Sequence, residues 1–117
     1  MRPYTIICDI DGTLIKHRED ITTQTTDEPI LLENTLNKLK EWEAKGYFII
    51  LITGRKESQR KATKKQLLKA GIFYDQLIMG VGGGARVLIN DKKPDGTLTA
   101  FCHNLNRNEG IGKINDY

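Results

Sequence analysis

Tyr4 to Ile15 reads YTIICDIDGTLI. A β-branched, apolar run leads into two aspartates spaced by one residue, Asp9 and Asp11, and then breaks at Gly12 and Thr13. The run is continuous rather than alternating, which marks a strand buried on both faces. A carboxylate pair at the end of such a strand is unfavourable unless something positive neutralises it. The strand end therefore demands a partner, and the rest of the chain has to supply it.

Its 117 residues make one domain with room for a real core and none for a second. Hydrophobic residues are 38% and charged residues 28%, the balance of a soluble globular protein. The net charge of +3 is too mild to specify nucleic acid, though it suits anionic partners. No apolar run approaches the ~20 residues of a membrane span. The first residues, MRPYTIICDIDG, lack the cleavage pattern of a signal peptide, so a cytoplasmic protein is expected. Cys8 and Cys102 both lie in apolar runs and read as buried thiols without a disulfide. A cysteine phosphatase of the Cys-x5-Arg kind is excluded, because Leu14 stands where its arginine belongs.

Strands and helices alternate along the chain. Residues 4–10 predict a first strand, 47–53 a second, 75–80 a third and 85–91 a fourth, with 97–104 a fifth at an edge. Residues 16–28 are polar and threonine-rich, a loop or small flap. Asp27 as N-cap, Pro29 in the first turn and Gly46 as the stop predict a helix whose stripe is Leu32, Leu36, Leu39 and Trp42. Residues 56–70 predict a second helix, closed by Gly71. The pattern implies a doubly wound, Rossmann-like α/β fold: a parallel sheet with helices on both faces.

Ligands in such sheets bind at the carboxyl ends of the strands. Those ends deliver Asp9 and Asp11, then Thr53, then Gly80, Gly82, Gly83 and Gly84, then Asn90 and Asp91. Two acids spaced by one residue point to the same side. With Asp91 they form a set of hard oxygen ligands suited to Mg²⁺, and the ion would relieve the repulsion among the three carboxylates.

Asp9-Ile10-Asp11-Gly12-Thr13 after an apolar strand resembles the first motif of the haloacid dehalogenase (HAD) superfamily. The stretch IILITGR (49–55) is similar to its second motif and RVLINDKKP (86–94) to its fourth. The resemblance implies phosphoryl transfer through an aspartyl-phosphate. Asp9 is then the nucleophile, and Asp11 protonates the leaving oxygen before activating water. Thr53 bonds the transferring phosphoryl. Asp91 holds Mg²⁺ beside Asp9 and the backbone carbonyl of Asp11. Ile10, Gly12, Thr13, Gly54 and Arg55 flank the phosphate. Metal and donors offset the repulsion between a carboxylate and a phosphate dianion.

The third motif departs from the family. Its lysine, which neutralises the nucleophile, is absent from MGVGGGARV (79–87), leaving Lys92 or Lys93 as the nearest replacements. Without one, a slow enzyme or a non-catalytic phosphate-binding module gains ground. The glycines at 80–84 are either a phosphate cradle or a flexible turn, and no Walker loop follows. The basic stretch from Arg55 to Lys65 is either a solvated helix face or an attractor for a polyanion. His17 and His103 have no partners at metal-ligand spacing. A receiver domain is excluded, since Gly80 stands where its acceptor aspartate belongs.

Neither gap between the motifs holds a cap domain, so a minimal, capless HAD domain over residues 1–117 is expected. Its open site would take a large substrate or be completed by a second copy. The carboxyl-terminal half is also similar to small HAD proteins of capsule and surface-polysaccharide synthesis, which would make the substrate a sugar phosphate or related small phosphomonoester. The open site and basic helix support the alternative, a polynucleotide phosphatase.

Overall fold

The computed structural model describes residues 2–117. Three parallel strands form the sheet in the order β1 (Thr5–Asp9), β2 (Phe48–Ile52), β3 (Gln76–Ile78). Cys8 pairs with Leu51 and Asp9 with Ile52, while Ile52 also pairs with Ile78. Thus the ends of β1, β2 and β3 come level at one edge. The helices are α1 (Ile21–Thr26), α2 (Thr35–Ala44) and α3 (Arg60–Ala70). The α/β, parallel-sheet expectation holds for these elements.

The sheet is packed on one face rather than two. Cys8, Ile49, Leu51 and Leu77 are buried with Leu39, Trp42 and Leu67 of the helices. On the other face Ile7, Phe48 and Ile78 are between 43% and 49% exposed. The cause is topological. Two successive right-handed crossovers stepping the same way across a sheet place both helices on one side. Each fully buried Leu or Ile in this layer contributes about 1.5–3 kcal/mol relative to exposure.

Helix α3 ends as expected, with Gly71 in the left-handed region at φ 78° taking over the last carbonyls. A 3-10 turn at Glu57–Gln59 precedes it. Helix α2 starts later than its sequence suggests. Residues 30–32 instead run antiparallel to 14–16: the Lys16 amide donates to the Ile30 carbonyl and the Leu32 amide to the Leu14 carbonyl. Between these two arms the polar flap forms α1, capped by the Asp20 carboxylate on the Thr22 amide at 2.9 Å.

The expected fourth and fifth strands do not form. Val87, Leu88 and Ile89 are 83%, 60% and 88% exposed, in extended backbone without a sheet partner among the described residues. A turn closes the arms, with the Lys93 amide on the Thr97 carbonyl. The Thr99 hydroxyl then donates to the Asp91 carbonyl and accepts from Asn90 Nδ2. A side chain thus takes the carbonyl that a ladder would use. Cys102 is exposed, against expectation, and Cys8 is buried as expected. None of the described helices is long and apolar enough to cross a membrane.

Candidate active site

The turn after β1 is wound around one carbonyl. The amides of Thr13, Leu14 and Ile15 all converge on the Ile10 carbonyl, at 3.2, 2.9 and 3.3 Å. The Ile10 side chain is fully buried beneath it. Gly12 sits at φ 85°, a conformation an L side chain rarely adopts, and its amide closes the loop on the Ile15 carbonyl at 2.7 Å. Asp9 and Asp11 are thereby projected from a rigid loop.

Asp9 is about a third exposed, its side chain at 35%. Burial raises its carboxyl above the ordinary range. The Arg86 guanidinium pulls it back down, as does the Ile10 amide, and Asp11 adds a small push upward. Arg86 Nη1 lies 3.5 Å from Asp9 Oδ1, and the Thr13 hydroxyl lies 3.5 Å from Oδ2. Arg86 is therefore the cation beside Asp9, a residue that sequence reasoning missed. Lys92 and Lys93 lie on the exposed hairpin, away from any described acid at ion-pair distance. Its signal in the sequence is position: Arg86 is the first basic residue after the glycine loop.

The loop that delivers Arg86 is anchored to the end of β2. The Gly80 amide donates to the Arg55 carbonyl at 2.8 Å, and the Val81 amide to the Thr53 carbonyl at 3.1 Å. The Gly82 carbonyl lies 3.4 Å from where a Cβ on Gly54 would stand, so the two segments are in van der Waals contact there.

Asp11 is held by Arg55. Arg55 Nε donates to Oδ2 at 2.9 Å and Nη2 to Oδ1 at 2.7 Å. Nη1 donates to Thr63 and Gln66, and Nη2 also to the Gln24 carbonyl. All five N–H groups of this buried guanidinium are thus engaged. Gln66 in turn donates to the carbonyls of Gln24 and Asp27, which ties the flap to α3 and to Asp11. Thr53 is buried, its hydroxyl accepting from the Arg55 amide at 3.1 Å.

Asp91 stands apart, exposed on the hairpin. Among the described residues no three of His, Cys, Asp and Glu gather at a spacing that holds a metal ion. Of the three acids read as metal ligands, Asp9 and Asp11 are brought together at the end of β1, each facing an arginine, and Asp91 is not beside them.

A parallel strand ending in a wound Asp-x-Asp-Gly-Thr turn, with a second strand's threonine level beside it, defines a HAD-type phosphatase domain. More specifically, the chain belongs to the polynucleotide kinase PNKP phosphatase domain family, whose model matches residues 3–93. Two solved structures described as Pnkp1/Rnl/Hen1 complexes, the second named as an RNA repair complex, contain similar chains. One is 34% identical, with a TM-score of 0.59, covering 73% of this chain and 30% of that one. The other is 37% identical, with a TM-score of 0.57, covering 66% of this chain and 25% of that one. This chain therefore spans less than a third of the length of those relatives. A D,D-heptose 1.7-bisphosphate phosphatase from B. bronchiseptica, complexed with magnesium and phosphate, is 17% identical with a TM-score of 0.50. It covers 83% of this chain and 55% of its own length, and supports the fold alone. No curated protein matches the chain. These findings do not support the resemblance to capsule and polysaccharide proteins, and they favour the polynucleotide alternative. HAD phosphatases are typically magnesium-dependent.

Proposed function

We propose that this domain removes a terminal phosphate from a polynucleotide through an aspartyl-phosphate on Asp9. The observation that carries the reading is the Asp9–Arg86 pair at the end of β1, in a chain of the polynucleotide kinase phosphatase family. A carboxylate can meet a phosphate dianion only where positive charge offsets the repulsion, and Arg86 supplies such charge at the attacking oxygen.

In this reading an Asp9 oxygen attacks phosphorus in line, the bond to the leaving oxygen breaks, and the phosphoryl group is carried on Asp9. Asp11 protonates the leaving oxygen and then accepts a proton from the water that cleaves the acyl-phosphate. Arg55 orients Asp11 for both transfers, and one of its two hydrogen bonds must yield when Asp11 carries a proton. The loop residues Gly12 and Thr13 flank the phosphoryl, and the Thr53 hydroxyl, which accepts from the Arg55 amide, keeps its own proton to donate to it. Asp9 and Asp11 at the strand end, with Asp91 once it moves in, would hold magnesium, which would supply further positive charge at the phosphoryl.

Assays of phosphate release from 3′- and 5′-phosphorylated oligonucleotides, against a panel of sugar phosphates, test the reading. Oligonucleotide turnover that falls at least a thousandfold in Asp9→Asn is expected, on the order of 4 kcal/mol of barrier. Preference for a sugar phosphate restores the earlier substrate class. Binding of the oligonucleotides without turnover on any substrate makes the domain a non-catalytic module.

The solved relatives sit in complexes with Rnl and Hen1. In this reading the domain works beside RNA repair partners of that kind.

A further inference from the structure

Three arginines surround the Asp9–Asp11 turn, and they differ in what they face. Arg55 is engaged by Asp11, and Arg86 by Asp9. Arg107 is exposed and has no hydrogen-bond or ion-pair partner among the described residues. Its stem lies against the loop: Arg107 Cγ is 3.2 Å from where a Cβ on Gly12 would stand. A side chain at position 12 would push the arginine stem back by a few tenths of an ångström.

The residue that holds Arg107 there is strained and doubly tied. Asn108 adopts φ 67°, a left-handed conformation uncommon for a residue with a side chain. Its amide donates to the Gly12 carbonyl at 2.8 Å, and its side-chain oxygen accepts from the His17 amide at 2.8 Å. Strain of this kind persists only where surrounding contacts enforce it, and it concentrates at ligand clamps. A strained residue fastened to both ends of the loop thus presents an unpaired cation beside that loop.

We infer that Arg107 binds the phosphodiester next to the terminal phosphate, and so makes the site select a nucleotide chain over a lone phosphate ester. This rests on the polynucleotide reading above. The position argues for the neighbouring group rather than the scissile one. Arg86 already supplies the cation at Asp9, whereas Arg107 lies at Gly12, past Asp11. A free guanidinium matches a phosphodiester's two oxygens in a bidentate fork.

The test compares the intact chain with Arg107→Ala and Arg107→Lys, on a phosphorylated oligonucleotide and on p-nitrophenyl phosphate, which has no second phosphate. The expected result is a drop of about tenfold in the ratio of kcat/KM on the oligonucleotide to that on the small ester, carried mainly by KM, with partial recovery in the lysine variant. Oligonucleotide binding, measured in an Asp9→Asn background, is expected to lose about one from its slope of log affinity against log salt. Matched urea midpoints establish that the variants fold. An unchanged ratio and salt slope, with an active wild type, overturn the inference alone. An equal loss on both substrates assigns Arg107 to the scissile phosphate and also overturns it. A wild type that leaves every phosphorylated oligonucleotide intact sinks the functional reading together with the inference.

Discussion

Arg55 grips both oxygens of Asp11, with Nε at 2.9 Å and Nη2 at 2.7 Å, although the two lie 44 positions apart in sequence. Both side chains are shielded, at 4% and 17% exposure. Such a pair is retained less for net stability than for geometry, because removing one partner strands the other.

Replacing Arg55 therefore acts on both folding and catalysis. Arg55→Ala leaves Asp11, Thr63 and Gln66 without their shared partner. It is expected to destabilise the domain by about 3 kcal/mol. Arg55→Lys keeps the charge but loses the fork, so stability recovers in part while kcat stays low. Urea unfolding and steady-state kinetics on the three proteins check this. Equal kcat for wild type and the lysine variant contradicts a positioning role.

Arg86 acts on charge rather than packing. In Arg86→Ala the attacking carboxylate loses its cation, and a fall in kcat of about a hundredfold is expected, near 3 kcal/mol of barrier. The same loss removes the larger of the two influences that lower the Asp9 carboxyl and leaves the Ile10 amide, while burial, the largest effect, still raises it. Protonated Asp9 then persists to higher pH. The acid limb of the kcat/KM profile is expected to move upward, and a limb that stays fixed counts against the pair. Lys92→Ala and Lys93→Ala serve as comparisons, since both lie on the exposed hairpin.

How much of this was legible in sequence follows from range. The Asp9–Gly12 turn and the ends of α3 are set by residues a few positions apart, so local pattern sufficed. The start of α2 was misread because Pro29 looked like a first turn, while residues 30–32 pair with 14–16. That pairing is a tertiary fact with no local signature. Val87, Leu88 and Ile89 give the run 85–91 its strand character, yet the Thr99 hydroxyl takes the Asp91 carbonyl. Both sides of the sheet were expected to be covered, because apolar runs in β1 and β2 do not reveal which way the crossovers step. Arg86 and Arg107 reach the site across long sequence separations, and only the fold shows which of 18 basic residues stand at the acids.

The two thiols are expected to behave oppositely. Cys8 is buried beside Asp9, and burial first, then that carboxylate, pushes its thiol up to about 12. Cys102 is exposed. Iodoacetamide at pH 8 should modify Cys102 within minutes and Cys8 only after denaturation. The sign of the pH effect follows from the raised value. The unfolded thiol ionises near 9.0 whereas the folded one keeps its proton to about 12. Stability from this group is complete below pH 9 and declines as pH climbs from there toward 12. Cys8→Ala should flatten that alkaline decline. Rapid labelling of both cysteines in the native protein contradicts the buried placement.

Magnesium offers a test of Asp91 that needs no turnover. The described residues gather no three metal-binding side chains, and Asp91 is held on the hairpin through its carbonyl. Among the described residues strand β1 has an edge with no paired strand, and Val87, Leu88 and Ile89 have the composition to fill it. If the ion draws Asp91 to Asp9, binding and strand pairing are one event, and ligand binding to the folded state raises the melting temperature. Millimolar Mg²⁺ is expected to raise Tm by several degrees in the wild type and by much less in Asp91→Asn. Amide exchange at Val87, Leu88 and Ile89 is expected to slow with the ion in the wild type only. The same Tm rise in both proteins, with exchange at 87–89 unaltered, means that magnesium binds without Asp91 and that the hairpin stays where it is.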